Sequence, residues 1–513
     1  MQNLSSVKND SWLGWFLRGV LILGTLFLFV RLFELQIIKG DYFRKLAEGN
    51  RIKKIVIPAA RGKILSRSGE VLTGIDFAHI TGYLAETTEG EVGVIDPKCP
   101  HKGPYQLGQI VGRGGLQEYY NCTLTGIDGE ELWEVDSMGE KLRFLGSRDP
   151  VAGENLKTTI DLELQRQIAK SMDEKPGAVV ATDLGGEVMA IYSYPSFDPK
   201  NIVPSLKDED LPLFNRALGG IYHPGSIFKP LIAISALEEG KIDKDFKYTD
   251  SGVLTVKTLY GSYSYANWYF TQYGGVEGEI DLTKALARST DTFFYKIGEF
   301  VGINNLLEWM KKFGLTKLTN IDLPGEILSL VPSPDWKLKV KGEKWFLGNT
   351  YHFSIGQGDL ALTPIGIHRA NLVVANGGQL CDLKLADEPK CKRLGIKKEN
   401  IALVQSGMNK VCETGGTGYT FFDFGQKHNG LQVSCKTGTA ETNDDEKTHA
   451  WFTVFVQQSQ TVKKEIMLTV LVEKSGEGSK VAGPVAREIL DFYYEDQKTT
   501  QPTPVVEKDL NNE

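Results

Sequence analysis

Twenty-two residues, Trp12 to Phe33, form an apolar run with no charge between Gly19 and Val30, flanked there by Arg18 and Arg31. Such a run cannot be laid over a soluble surface. As a helix it spans about 33 Å, enough to cross the hydrocarbon core of a bilayer, and the two long arginine side chains can reach toward headgroups. A removable signal peptide would be followed by a small-residue cleavage site. Here Arg31-Leu-Phe-Glu-Leu-Gln36 continues in helical register instead, which predicts a retained anchor. Basic residues do not orient it, because Lys8 and Arg18 face Arg31, Lys39, Arg44 and Lys45 across the span. The anchor sets a short N-terminus, 1–11, apart from a large body that must fold on one side of the membrane.

In a chain of 513 residues that body is long enough for two or three folded units. With 24% charged residues and a net charge of -7, it lacks the basic excess that nucleic acid selects, so no nucleic-acid partner is expected. Six cysteines, Cys99, Cys122, Cys381, Cys391, Cys412 and Cys435, form neither a Cys-x-x-Cys pair nor a Cys/His zinc spacing. Cys381 and Cys391 flank a polar segment with hairpin character, and Cys99 and Cys122 bracket another small region. Sequence spacing does not determine Cα separation, so disulfides at these two pairs and six free packing thiols are both open readings.

After the anchor, a charged helical segment to about residue 50 is predicted, then a strand over 53–58 and a turn-rich stretch from Arg61. Short apolar runs alternate with Gly and Asp over 75–152, which reads as a small, mostly β module. From residue 156 the pattern changes. Thr159-Ile-Asp161 caps a helix with Leu164, Ile168 and Met172 on one face. Strands over 177–183 and 187–194 follow, joined at Leu184-Gly-Gly186. Further strands over 432–439, 450–457 and 466–473, a helix starting at Thr363-Pro364 and a closing helix over 484–494 show no βαβ regularity. The pattern over 156–496 is therefore α+β, an antiparallel sheet flanked by helices. The polar, proline-containing tail, 497–513, is expected to be disordered.

Three short motifs carry chemistry. Ser226-Ile-Phe-Lys229 opens an apolar helix, and the i to i+3 spacing puts the Lys229 amine on the face of the Ser226 hydroxyl, within hydrogen-bond reach. A hydroxyl is a poor nucleophile until a base takes its proton, and a neutral amine can do so. Lowering a lysine from about 10.4 to 7 or 8 requires roughly 3 to 4 kcal/mol of desolvation and like-charge pressure, some of which Lys436 can supply. The bare pattern is common, and recurs at Ser5 and Lys8 ahead of the span. Lys436-Thr-Gly-Thr439 lies in a strand that sends Lys436 and Gly438 to one face and Thr437 and Thr439 to the other, with Gly438 allowing a substrate close to the backbone. Its alternative is a strand-end lysine before a turn. Ser289-Thr-Asp291 precedes an apolar helix over 293–313, and Ser289 or Asp291 could be simply its N-cap.

In this order, and about 60 to 150 residues apart, the three motifs resemble those of the penicillin-interacting serine enzymes. Arg31-Leu-Phe-Glu-Leu-Gln36, Asn50-Arg51, Arg61-Gly-Lys-Ile64, Tyr222-His-Pro-Gly-Ser-Ile-Phe-Lys229, Ser354-Ile-Gly-Gln-Gly358 and Lys436-Thr-Gly-Thr-Ala440 are similar to class B penicillin-binding proteins. The resemblance covers about residues 30–495. It implies an anchor over 12–33 in the cell membrane, a non-catalytic, dimerisation-type pedestal over 34–155, and an extracytoplasmic transpeptidase domain over 156–496 with a five-stranded antiparallel sheet. The implied reaction crosslinks peptidoglycan stem peptides ending in D-Ala-D-Ala, and β-lactams acylate the same serine.

By the same resemblance Ser226 is the nucleophile, Lys229 its base and Ser289 a proton relay to the leaving amine. Lys436, Thr437 and Thr439, with Gly438 between them, hold the substrate carboxylate, and the backbone N–H groups of Ser226 and Thr439 form the oxyanion hole. Val111-Gly-Arg-Gly-Gly-Leu-Gln-Glu-Tyr-Tyr120 and Asp291, where division-type relatives usually carry asparagine, resemble the elongation, rod-shape type. That type implies elongation-complex partners and a SEDS-family glycosyltransferase. Asp291 also poses a difficulty, since a carboxylate near Lys229 favours the ammonium form unless Lys436 shares its charge. Some elongation-type relatives bind zinc through Asp, His and Cys; here Thr290 replaces that cysteine and no histidine lies between Asp250 and Ser289, so no metal and no cofactor is expected. Ser66 and Gln117 depart from the family's Asp and Glu, and the pedestal is short. The alternatives are a division-type enzyme, a β-lactamase, a β-lactam sensor and a silent scaffold. The anchor and pedestal argue against a secreted hydrolase, the short segment before the anchor against a sensor, and the full motif set against a scaffold.

Overall fold

The computed structural model describes residues 12–136, 138–258, 261–442, 447–457 and 464–495; the segment 1–11 with its Ser5/Lys8 pair and the tail 497–513 lie outside them. The chain divides into two compact units. The first ends at Gly62 and resumes over Thr125–Glu154. In it Trp12–Phe33 is one continuous helix without a buried residue, and Trp12–Ile38 is long and apolar enough to cross a membrane. Ile52–Ile57 pairs antiparallel with Gly129–Val135, which pairs in turn with Lys141–Arg148.

The second unit comprises Lys63–Leu124 and the chain from Asn155. Phe77, Ile80, Leu116 and Leu124 are buried in the same core as Ile160 and Leu162. Short helices occupy Ala78–Thr81, Gly115–Tyr119 and Asn121–Leu124, so this region holds more helical turn than its spacing predicts. Apolar runs this short suit a strand or a buried helical turn equally well. Ser66, where the family resemblance implies aspartate, is buried; its hydroxyl accepts the Glu70 N–H at 3.1 Å and bonds the Ser68 hydroxyl at 2.8 Å. Two hydroxyls thus brace a turn that the Ser66 N–H also closes on the Glu70 carbonyl at 2.7 Å.

The sheet consists of β1 (Gly177–Thr182), β2 (Val188–Tyr194), β3 (Ser434–Glu441), β4 (Thr448–Val456) and β5 (Ile466–Val472). All neighbours are antiparallel, in the order β3-β4-β5-β1-β2. Helix α1 (Leu162–Met172) starts where the Asp161 carboxylate accepts the Leu164 N–H. The helices α2 (Lys229–Glu238), α3 (Leu282–Arg288), α4 (Asp291–Val301), α5 (Pro364–Ala375), α6 (Lys398–Val411) and α7 (Ala482–Glu495) follow. Leu164, Ile168, Val485, Ile489 and Leu490 of α1 and α7 share one core with Phe452, Leu468 and Val470. Leu231, Ile232, Leu372, Val373 and Val404 of α2, α5 and α6 share another with Trp451, Met467 and Leu471. Both faces of the sheet are covered, which is why β4 and β5 read as continuous apolar runs and not as alternation. Helix α2 is buried from Lys229 to Leu237, as its all-round apolar surface requires. The single helix predicted over 293–313 is two, α4 and Ile303–Lys312, broken at Gly302 with φ of +75°.

Three disulfides join the six cysteines. Cys381–Cys391 and Cys99–Cys122 close the two pairs that spacing left open. Cys412–Cys435, a pairing not anticipated, ties the residue after α6 to the second residue of β3.

Candidate active site

Ser226 lies in a 3-10 turn, Gly225–Phe228, immediately before α2. Gly225 has φ of +55°, and a Cβ there would meet the Thr439 carbonyl oxygen at 2.7 Å. Gly356, with φ of +76°, is equally constrained, since its Cβ would lie 2.2 Å from the Gly225 oxygen. The Gly225 N–H donates to the Gly356 carbonyl at 3.0 Å. Bare backbone at both positions lets the serine turn, the 354–358 loop and β3 meet. Gly438 belongs to the same junction: its missing side chain faces Ile227, Trp451 and the Pro224 carbonyl at 3.0 to 3.1 Å. It therefore seats β3 against the serine turn, not against the open cleft.

Lys229 is fully buried. Its Nζ donates to Asp291 Oδ1 at 2.7 Å, to the Ser289 carbonyl at 2.7 Å and to Ser289 Oγ at 3.2 Å. The i to i+3 spacing brings the two side chains to one end of α2, but Lys229 makes no hydrogen bond to Ser226 among the described residues. The carboxylate and the Ser289 carbonyl accept its hydrogen bonds instead. Ser289 caps the C-terminal end of α3 in the left-handed conformation, φ of +57°, and Thr290, not Ser289 or Asp291, occupies the N-cap position of α4. The Ser289 hydroxyl also receives Lys436 Nζ at 2.8 Å, so one hydroxyl stands between two amines. Lys436, also fully buried, bonds the Thr437 carbonyl at 3.0 Å.

Burial pushes the Lys229 amine below the usual lysine range, with Asp291 opposing. Burial and the Lys229 charge push Lys436 well below it. Two desolvated amines share one carboxylate, so holding both as ammonium ions leaves a buried positive charge uncompensated. The stable arrangement is one ammonium, Lys229 paired with Asp291, and one neutral amine, Lys436.

A layer behind Asp291 escaped the sequence reading. The Asp291 N–H donates to Asn267 Oδ1 at 3.0 Å, and Asp291 Oδ2 accepts the Trp268 N–H at 3.0 Å. Asn267 is tied to Asp250 at 3.3 Å, and buried Asp250 also accepts the Thr292 hydroxyl at 2.6 Å, the Gly252 N–H at 3.0 Å and the Glu277 N–H at 2.9 Å. Asp250 entered that reading only in weighing a zinc site, and Asn267 not at all; their bracing role arises because the chain 24 to 41 residues upstream of Asp291 is folded back onto it.

Ser226, Ser289, Asp291, Thr437 and Thr439 line one cavity of about 530 Å³, together with Trp268, Tyr295, His352, Thr417 and Glu441. The Thr437 and Thr417 hydroxyls are bonded at 2.7 Å. A larger depression of about 710 Å³ near Tyr119 and Asp382 gathers no nucleophile with a buried amine. Among the described residues no group of three His, Cys, Asp or Glu side chains is placed to hold a metal ion.

Residues 177–491 match the family described as the penicillin binding protein transpeptidase domain, and 73–158 match the penicillin-binding protein dimerisation domain. The peptidoglycan D,D-transpeptidase MrdA of Haemophilus influenzae is 31% identical over 478 residues, 85% of this chain and 70% of that protein. The crystal structure of Pseudomonas aeruginosa PBP2 in complex with WCK 5153 has a TM-score of 0.72 at 26% identity, covering 88% of this chain and 100% of that one. PBP2 of Helicobacter pylori, in a complex with MreC, has a TM-score of 0.74 at 23% identity, covering 87% and 100%, a likeness of fold. With the motif residues gathered on this sheet-and-helix frame, the chain belongs to the penicillin-binding protein transpeptidase family, among the elongation-type peptidoglycan D,D-transpeptidases.

Proposed function

We propose that Ser226 attacks the penultimate D-Ala carbonyl of a donor stem peptide, releasing the terminal D-Ala, and that an amino group of a neighbouring stem then takes the acyl group. The observation that carries these roles is the Lys229–Ser289–Lys436 chain beside Ser226, with N···O distances of 3.2 and 2.8 Å. Lys229 becomes a base by passing a proton through the Ser289 hydroxyl to neutral Lys436. It then accepts the Ser226 proton as the C–O bond forms. When the C–N bond breaks, Ser289 returns a proton to the departing amine, and Lys436 resupplies it. The N–H groups of Ser226 and Thr439 hold the oxyanion, while Thr437, Thr439 and the Lys436 charge hold the terminal carboxylate.

Residues 12–33 anchor the protein in the cell membrane as a single pass, with 1–11 cytoplasmic and both the pedestal, 34–155, and the catalytic domain, 156–496, outside. A SEDS-family glycosyltransferase and other elongation-complex proteins are its partners; the complex formed by the H. pylori fold neighbour with MreC is consistent with this. Incubating the purified protein with fluorescent penicillin tests the reading. Long-lived label that Ser226→Ala abolishes supports the transpeptidase. Rapid loss of label would make the protein a β-lactamase, and no label a scaffold.

A further inference from the structure

One carboxylate of the cleft has no part in these roles. Strand β3 is an edge of the five-stranded sheet, and its alternate residues Thr437, Thr439 and Glu441 all line the cavity that contains Ser226. Successive residues of this set are about 6.8 Å apart along the strand. On the roles proposed above, Thr437 marks the terminal carboxylate of the donor and the Thr439 N–H marks the penultimate carbonyl. A stem laid along this edge then runs antiparallel to β3, and the residue preceding the two D-Ala units comes to Glu441. Tyr295 and His352 line the same cavity and sense the Glu441 charge, which opposes the loss of basicity that burial imposes on His352.

Glu441 is exposed, and no cation pairs with it among the described residues. The other charges around the cleft are satisfied: Lys480 bonds Glu477 at 2.8 Å, and Arg288 bonds Glu277 at 2.8 Å. A lone carboxylate at a fixed register on a substrate-binding strand selects a positively charged group. Crosslinking supplies that group. The acyl-enzyme is taken by an amino group of a neighbouring stem, and donor and acceptor stems are copies of one peptide, so each donor carries the same amino group.

We propose that Glu441 is a specificity-determining residue that pairs with the side-chain ammonium of the residue preceding D-Ala-D-Ala in the donor stem. The inference rests on the transpeptidase reading, and the test separates the two. Two penicillins are compared on the full-length protein in detergent at low salt; they differ only in an acyl side chain ending in a primary amine or in its acetamide. Acylation rate constants come from competition with fluorescent penicillin. The wild type should prefer the amine about fivefold, Glu441→Gln should bring the ratio to within about twofold, and Glu441→Lys should favour the acetamide. Glu441→Asp should keep the preference, separating charge from packing. A wild-type ratio near one, a preference that survives in Glu441→Gln, or its loss in Glu441→Asp overturns the role of Glu441 and leaves the transpeptidase reading intact. Failure of both penicillins to acylate the wild type overturns that reading, and this inference with it.

Discussion

Asp291→Asn tests the proposed role of Lys229 as a base beside a carboxylate. Asp291 Oδ1 lies 2.7 Å from Lys229 Nζ, and its Oδ2 accepts the Trp268 N–H at 3.0 Å. Both partners are donors, so an asparagine can satisfy Trp268 with its carbonyl only by turning its NH2 toward Lys229. That NH2 can donate to a neutral amine but not to an ammonium. The substitution thus removes the charge that favours protonated Lys229 and adds a donor that favours the free base. A unit charge pair about 3.5 Å apart at an effective dielectric near 20 is worth at most roughly 4 to 5 kcal/mol. Residual hydration of the carboxylate edge lowers this to about 1.5 to 3 kcal/mol, or roughly one to two pH units. The acid limb of the pH–rate profile for penicillin acylation should therefore move to lower pH by that amount. Stopped-flow measurement of the acylation rate constant from about pH 5 to 10 reads it directly, with thermal unfolding as a check on folding. An acid limb that stays in place, or moves to higher pH, would refute the view that Asp291 sets the proton affinity of Lys229.

Two further outcomes follow from the packing. His368, buried in α5, bonds the hydroxyls of Thr182 and Thr469 at 3.0 and 2.9 Å, and burial lowers its pKa from 6.5 to about 3. Below about pH 6.5 the unfolded chain takes up a proton that the folded protein refuses, so this contribution to stability is complete above pH 6.5 and declines on acidification toward pH 3, by about 1.4 kcal/mol per pH unit. His368→Gln should flatten the fall in urea-unfolding free energy between pH 6 and 4, and an unchanged slope would contradict it. The Cys412–Cys435 bridge spans 23 residues, worth roughly 3 to 4 kcal/mol on the chain-entropy account. The Cys412→Ala/Cys435→Ala protein should lose about that much stability and acylate penicillin several-fold more slowly, because Cys435 precedes Lys436 on β3. Wild-type acylation would show that the strand holds its place without the bond.

The elements legible in the sequence were those written in local chemistry. The uninterrupted apolar run required one long apolar helix, Trp12–Phe33, Asp161 and Thr363 marked helix starts with their own side chains, and paired Val, Ile and Phe runs without βαβ spacing required an antiparallel sheet. The motifs marked Ser226, Lys229, Ser289, Asp291 and Lys436 as candidates because each residue type can carry a proton or a charge, and the family resemblance, not the spacing, gave them their expected roles. Long-range contacts were beyond that reach. That Lys229 turns from Ser226 to Asp291 and Ser289, that Gly438 seats a strand, that Asp250 and Asn267 brace Asp291, and that Cys412 meets Cys435 all depend on which distant segments fold against one another. Residue identity and spacing along the chain determine what each side chain can do. Only packing decides which partner it meets, and so which proton it gives or takes.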